Sequence, residues 1–246
     1  MMTSEIENQL SGLRHPAPPG IATAVALGTG IVPGFSVYEA PVGPVGVVFT
    51  PVGVREVRLI DEIDETAVEA RPPRLWEKRI PRALEEGRPG DLPLDLAAVT
   101  SFRRTVLETA ATIPRGEVRS YGWLARRLGK PGASRAIGSA MATNPVPLIV
   151  PCHRVVRSDG HIGAYSLGGP ENKWTLLRHE GAEPERLEDL AASGVRYVGS
   201  DTTGVFCVPS CHAARRISPA HRVTFRSDGA ASGASFRPCS KCRPLG

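Results

Sequence analysis

Four of the five cysteines in this 246-residue chain lie near its C-terminal end in two close pairs, Cys207-x3-Cys211 and Cys239-x2-Cys242, with twenty-seven residues between the pairs. No other feature limits the fold more. A stretch of roughly fifty residues has too little core to fold on apolar burial alone. Two cysteine pairs at this spacing offer a tetrahedral four-thiolate site for one zinc ion, whose ligation supplies much of the missing stability. The odd cysteine count, and an N-terminus (Met1 to Gly20) with acids and no apolar h-region, argue against a secreted disulfide framework. The apolar patch Ile21 to Val32 is too short and too glycine-broken to cross a membrane. A cytoplasmic, monomeric protein with no membrane partner is the expectation.

Charge divides the chain. Residues 1–100 hold 9 basic against 14 acidic side chains, residues 101–183 hold 12 against 6, residues 184–195 hold 1 against 3, and residues 196–246 hold 8 against 2. Two basic segments beside an acidic one suit a polyanion such as nucleic acid, although solvated surface charge gives the same count.

The fifth cysteine ends a proline-stiffened apolar run, Asn144-Pro145-Val146-Pro147-Leu148-Ile149-Val150-Pro151, and is followed by His153-Arg154-Val155-Val156. Prolines fix φ along the run. A structural cysteine has no need of an adjacent imidazole; a nucleophile does, because the thiolate is the reactive form.

Upstream of this run stand Ile113-Pro114-Arg115-Gly116-Glu117-Val118-Arg119-Ser120-Tyr121-Gly122; downstream come Gly163-Ala164-Tyr165-Ser166 and His179-Glu180-Gly181. Together these stretches resemble the O6-alkylguanine-DNA alkyltransferases, densely over residues 101 to 183 and loosely before. The expected architecture has three parts. Residues 1–100 form an α/β supporting domain, a small antiparallel sheet plus helix. Residues 101–183 form a mostly α, winged-helix-like helix-turn-helix domain. After a linker at 184–195, residues 196–246 form a small α+β zinc module.

Local signals agree. Strands are expected at Phe35 to Tyr38, at Val45 to Thr50 and through Val54, Val57 and Leu59, with turns at Gly43-Pro44 and Pro51-Val52-Gly53. A helix over Pro73 to Glu86 is interrupted by Pro81. Phe102, Val106, Ala110 and Ile113 fall at helical spacing. Ser120 caps a helix with Trp123, Leu124 and Leu128 on one face, ended by Gly129; a Gly/Pro turn leads to a second helix, Ala133 to Ala142, stopped at Asn144-Pro145. That second helix buries Ile137 and Met141 and is otherwise Ala, Gly and Ser. Small side chains cannot read base edges but allow close approach, so minor-groove docking through Ala136, Ser139 and Ala140 is the reading that the family adds.

The resemblance implies further roles. Cys152 is the alkyl acceptor, activated through His153 and Glu180 by way of a water, with Asn144 bracing the turn. The target nucleotide must leave the stack, and Arg135 matches the intercalating arginine while Tyr121 matches the tyrosine that crowds the target phosphate. Tyr165, Ser166, backbone groups at Val155 and Val156, and Lys173 match the pocket. The substrate is double-stranded DNA carrying O6-alkylguanine or O4-alkylthymine. The product is a thioether, so each molecule acts once and needs no organic cofactor.

The tail, Thr202-Thr203-Gly204-Val205-Phe206-Cys207 with Phe236-Arg237-Pro238-Cys239, resembles the zinc domain of the Ada type. There the first zinc cysteine accepts a methyl from a methylated backbone phosphate. Cys207 is the matching position, with Thr203 and Arg237 as phosphate contacts. Ala214 stands where an arginine is expected, and Arg215 or Arg216 is the substitute. Two readings of the tail stay open: a second methyl acceptor, or a structural zinc that adds DNA affinity. The rival for the whole chain is a lesion-binding sensor without transfer; a Cys-His hydrolase is a distant third.

Overall fold

The computed structural model describes residues 20–246; the rest of the stretch read for a leader, residues 1–19, lies outside the described residues. A nine-residue helix, α1 (Ile21–Thr29), comes first and is followed by strands β1 (Gly34–Ala40), β2 (Gly43–Phe49) and β3 (Val54–Leu59). These three pair antiparallel, and a short β4 (Val68–Glu69) adds parallel to β1, so the sheet order is β3-β2-β1-β4. The expected strands are present, with the first turn two residues earlier, at Pro41-Val42. The imperfect alternation of Val54, Val57 and Leu59 has a cause: the β2–β3 register shifts at Val48/Phe49, where Val47 faces Val57 but Phe49 faces Val54. A bulge of this kind inserts one residue and resets the faces.

The helix expected over Pro73 to Glu86 begins later. Residues 74–78 form turns, and α2 spans Arg79–Glu86. Pro81 sits in its first turn rather than breaking it, because first-turn N–H groups have no helical partner to lose.

Four helices follow: α3 (Ser101–Ala110), α4 (Tyr121–Arg127), α5 (Ser134–Ala142) and α6 (Gly169–His179). Thr100 caps α3, and the Ser120 hydroxyl accepts the Trp123 N–H to cap α4. The helix-turn-helix is α4 and α5. Two short strands, β5 (Arg119–Ser120) and β6 (Val155–Val156), pair parallel and tie the start of α4 to the chain just after Cys152. One apolar core runs from Val45, Val57 and Ile80 through Leu107, Leu124 and Ile137 to Leu148 and Cys152. The sheet region and the helix-turn-helix share it.

Residues 184–195, read as a short charged helix serving as a linker, do form a helix, and it is packed. Helix α7 (Pro184–Ala192) buries Leu187 and Ala191, and Leu187 joins Val118, Val156, Ile162 and Leu177 in a second cluster. Its Glu188 accepts the Ile162 N–H at 2.7 Å. Beyond it lie β7 (Tyr197–Ser200), β8 (Val205–Cys207), α8 (His212–Arg215), β9 (Arg222–Phe225), α9 (Asp228–Gly233) and β10 (Arg237–Pro238). They form an α+β unit with sheet order β10-β8-β7-β9. Among the described residues, no helix is long and apolar enough to cross a membrane.

Candidate active site and metal centre

The proline-rich run works as a rigid approach to Cys152. Leu148 takes a left-handed φ of 70°, rare for leucine, and its buried side chain in the main core holds it there. Asn144 ties the two ends of the run together. Its amide donates to the Val150 carbonyl at 2.9 Å and to Cys152 Sγ at 3.1 Å, while its oxygen accepts the Val146 N–H at 3.1 Å. Asn144 is thus more than a helix stop: it presents an N–H to the sulfur.

Cys152 is 4% exposed, at the floor of a cavity of about 190 Å³ lined by Tyr121, Met141, Ala142, Ala164, Tyr165 and Ser166. Burial pushes its thiol up in pKa; the Asn144 hydrogen bond and the Lys173 charge pull the other way without cancelling it. Burial also raises Tyr121 and Tyr165, helped by the charge that Cys152 would carry, so both phenols remain donors. Tyr165 stands edge-on to His153, ring centroids 6.2 Å apart, with its hydroxyl buried and unpartnered among the described residues.

His153 is fully enclosed. Its Nε2 meets Glu180 Oε1 at 2.8 Å, which leaves Nδ1 buried without a protein partner. With Nε2–H donating to the carboxylate, Nδ1 presents a lone pair. Burial lowers the pKa of His153 and outweighs the pull of Glu180, so the ring is neutral at pH 7.

Glu180 is pinned by Arg154 as well: Arg154 Nη2 reaches Oε1 at 2.6 Å and its Nε reaches Oε2 at 2.9 Å. Burial alone would raise the Glu180 carboxyl. Hydrogen bonds from His153 and Arg154, and the Arg154 charge, hold it instead at about 2. Arg154 also donates to the carbonyls of Glu86, Gly87 and Ile113, which joins the supporting region to the reactive one.

Several expected site residues sit elsewhere. Lys173 is buried and does not line the cavity; its ammonium donates to Val155 and Ile162 carbonyls at 2.7 Å each and to Ala164 at 3.3 Å, and desolvation lowers its pKa to about 8. It braces the loop that carries Tyr165. Val155 and Val156, expected to offer backbone groups, stand in β6 with buried side chains and do not line the cavity, and the Val155 carbonyl is taken by Lys173. On α5, Arg135, Ala136 and Ser139 are exposed, but Ala140 is 1% exposed, three residues along from buried Ile137, and cannot touch a ligand on the outer face. Met141, Ala142 and Ala164 line the cavity and were not expected; the helix-to-turn junction puts the first two there.

At the other end of the molecule the sulfurs of Cys207, Cys211, Cys239 and Cys242 lie within 4.8 Å of one another, all four buried. Soft thiolates at this mutual distance, from two short-spaced pairs, fit a tetrahedral zinc ion. Cys207 also borders a second cleft, of about 540 Å³, lined by Thr203, Arg216, His221 and Arg237. Thr203 and Arg237 are exposed there, as expected. Of the two substitutes for the missing arginine, Arg216 faces the cleft, whereas Arg215 donates to the Gly181 carbonyl at 2.7 Å; Ala214 is buried.

A helix-turn-helix packed on a buried cysteine, with a hydrogen-bonded His–Glu pair beginning at the next residue, is the architecture of the DNA-alkyltransferase class. Residues 101–182 match the 6-O-methylguanine DNA methyltransferase DNA-binding domain, and residues 186–244 match the metal-binding domain of Ada. The chain belongs to the methylated-DNA–protein-cysteine methyltransferase family. It is 35% identical to the member from Methanothermobacter thermautotrophicus over 150 residues, 59% of this chain and 84% of that one. It is 51% identical to the Shigella flexneri member over 82 residues, 33% of this chain and about half, 47%, of the length of that relative. Mycobacterium tuberculosis OGT, solved in complex with DNA, superposes with a TM-score of 0.52 at 32% identity, covering 64% of this chain and 98% of that one.

Proposed function

We propose that this chain is a single-turnover DNA-repair methyltransferase that moves the alkyl group of O6-methylguanine, or of O4-methylthymine, in double-stranded DNA onto Cys152. It acts as a cytoplasmic monomer. The observation that carries the reading is a pair of contacts on adjacent residues: the Asn144 amide on the Cys152 sulfur, and the His153 imidazole with Nε2 committed to Glu180 and Nδ1 left free.

Each part has a task. The resting thiol is protonated because it is buried, which protects it from solution electrophiles. When a flipped base fills the cavity, the thiol proton passes by relay to His153 Nδ1, and Glu180 stabilises the imidazolium that forms. The Asn144 N–H and the Lys173 charge favour the thiolate. Sulfur attacks the alkyl carbon, an S–C bond forms as the C–O bond to the nucleobase breaks, and the nucleobase takes up the proton that the thiol gave to His153. No step regenerates the thiol. Outside the cavity, Arg135, Ala136 and Ser139 form an exposed strip on α5, and a Cβ built on Gly138 would meet nothing within 4 Å, so the protein itself leaves this face open. A narrow, small-residue strip beside the cavity supports minor-groove docking with Arg135 as the wedge.

Cys207 is the second acceptor in this proposal. A four-thiolate zinc ion keeps sulfur ionised at neutral pH, and Thr203, Arg216 and Arg237 around the adjoining cleft are donors for a methylated phosphate. Peptide mass spectrometry after incubation with methylated duplex DNA tests both parts. Methyl groups on Cys152 and Cys207 are expected. Methyl on Cys152 alone reduces the tail to a structural module, and DNA binding with no methyl on either cysteine would make the chain a lesion sensor.

A further inference from the structure

The zinc module grips the repair region through residues that adjoin its own metal ligands. Ser210 and His212 flank Cys211, and Arg243 follows Cys242. The Ser210 hydroxyl accepts the Val118 N–H at 2.9 Å and donates to the carbonyl of the same residue at 3.2 Å. The His212 backbone N–H donates to Glu117 Oε1 at 3.0 Å. The other oxygen of that carboxylate holds Arg119 Nη2 at 2.6 Å, in a buried pair. Arg119 spreads its guanidinium over the Trp123 ring, 5.5 Å from the centroid, and the Trp123 indole N–H donates to the Arg243 carbonyl at 2.7 Å. Arg126 completes the grip by donating to the Leu245 carbonyl at 2.7 Å.

All of these bonds fall on residues 117–126, and Tyr121 stands in the middle of that span. It is the first residue of α4, directly after β5, and β5 pairs with the strand that begins three residues beyond Cys152. Loosening the cysteine knuckles would strip partners from a buried carboxylate, a buried backbone N–H and a buried indole. Groups left so do not stay in place; they move to reach water. Tyr121 would move with them.

We propose that the zinc module positions Tyr121, with Glu117 and Ser210 as the positioning residues, so that transfer at Cys152 depends on metal bound at a site that lines a different cleft. This rests on the repair reading above. The coupling runs from metal to Cys211, to Ser210 and His212, to Glu117 and Val118, and through β5 to the cavity wall.

Hydrogen exchange and single-turnover transfer on the full chain test it, with the zinc-loaded protein compared with the same protein stripped by a chelator. Stripping should raise exchange across residues 117–127 while α6 and the N-terminal sheet stay protected, and should slow transfer to Cys152 by about tenfold or more, as small misplacements of a reacting group do. Zinc-loaded Ser210→Ala and Glu117→Gln should keep their metal, exchange faster over the same span, and lose about three- to tenfold in rate at saturating DNA with the half-saturating DNA concentration unchanged; Ser210→Thr should restore the rate. A stripped protein that exchanges freely in the zinc module yet keeps residues 117–127 protected would overturn the proposal. So would Ser210→Ala and Glu117→Gln proteins that match the parent in exchange and rate. If no form of the protein transfers an alkyl group, the repair reading fails, and the exchange pattern alone still decides whether the metal orders Tyr121.

Discussion

Cys152 and Cys207 are both buried, and their surroundings offer a sulfur opposite means of ionising. Around Cys152 there is one thiol, one neutral imidazole, one ionised carboxylate and an amide N–H, all supplied by residues 144–180. Around Cys207 there are three more sulfurs within 4.8 Å, so any ionisation there rests on a cation shared by the four. On the proposed reading the first site hides its nucleophile as a thiol until a nucleobase arrives, whereas a metal ion at the second would hold a thiolate and share out its charge. The lone thiol is therefore sensitive to proton positions, and the cluster is sensitive to metal.

The sharpest break of this comparison is Cys152→Ala. It should abolish transfer from O6-methylguanine and leave any methylation of Cys207 by methylated phosphates intact, read by peptide mass spectrometry; loss of both would mean that the two sulfurs form one pathway. Arg154→Ala comes next. It leaves the Glu180 carboxylate buried with one partner fewer and should cost about 3–5 kcal/mol in denaturant unfolding. A small loss there would show that His153 and the Gly116 N–H together satisfy the carboxylate.

Acid sharpens the contrast further. Glu180 has a folded pKa of about 2, below its ordinary 4.5, so its stabilising contribution is complete above 4.5 and is lost as pH falls from 4.5 to 2. That difference corresponds to about 3 kcal/mol, visible as a steeper acid-denaturation slope in the parent than in Glu180→Gln. Asn144→Ala removes one charge-assisted donor to the sulfur and should slow transfer about tenfold, with zinc content unchanged by metal analysis. The smallest effect on the fold belongs to exposed Arg135: Arg135→Ala should shift stability by less than about 0.5 kcal/mol while weakening transfer from duplex DNA more than from a single-stranded substrate, where nothing needs wedging.

The centre of the site was readable because its parts are close in sequence: Cys152 and His153 adjoin, Asn144 is eight residues away, and the Ser120 cap and Gly129 stop mark α4. Arg154 was not readable as a hub because its partners lie 26 to 68 residues away and are mostly backbone carbonyls, which no side-chain pattern announces. Ala140 had a signal that went unused: three residues after an apolar Ile137 is the same helix face. The packing of α7 had one too, in the spacing of Leu187 and Ala191. Glu117 and Ser210 carried none, since their pairing depends on how two separately readable units dock.

The Arg154 side chain has a consequence for how this chain can be divided. Two of its carbonyl acceptors, on Glu86 and Gly87, belong to the first hundred residues, which supply no reactive group. Gly87 has a φ of 59°, and a Cβ there would collide with the guanidinium, so even its lack of a side chain is part of the fit. A truncated gene beginning at residue 101 would encode every nucleophile, base and metal ligand and still produce a relay with its anchor half unmoored. Modularity legible along the sequence does not extend to the ion pair at its middle.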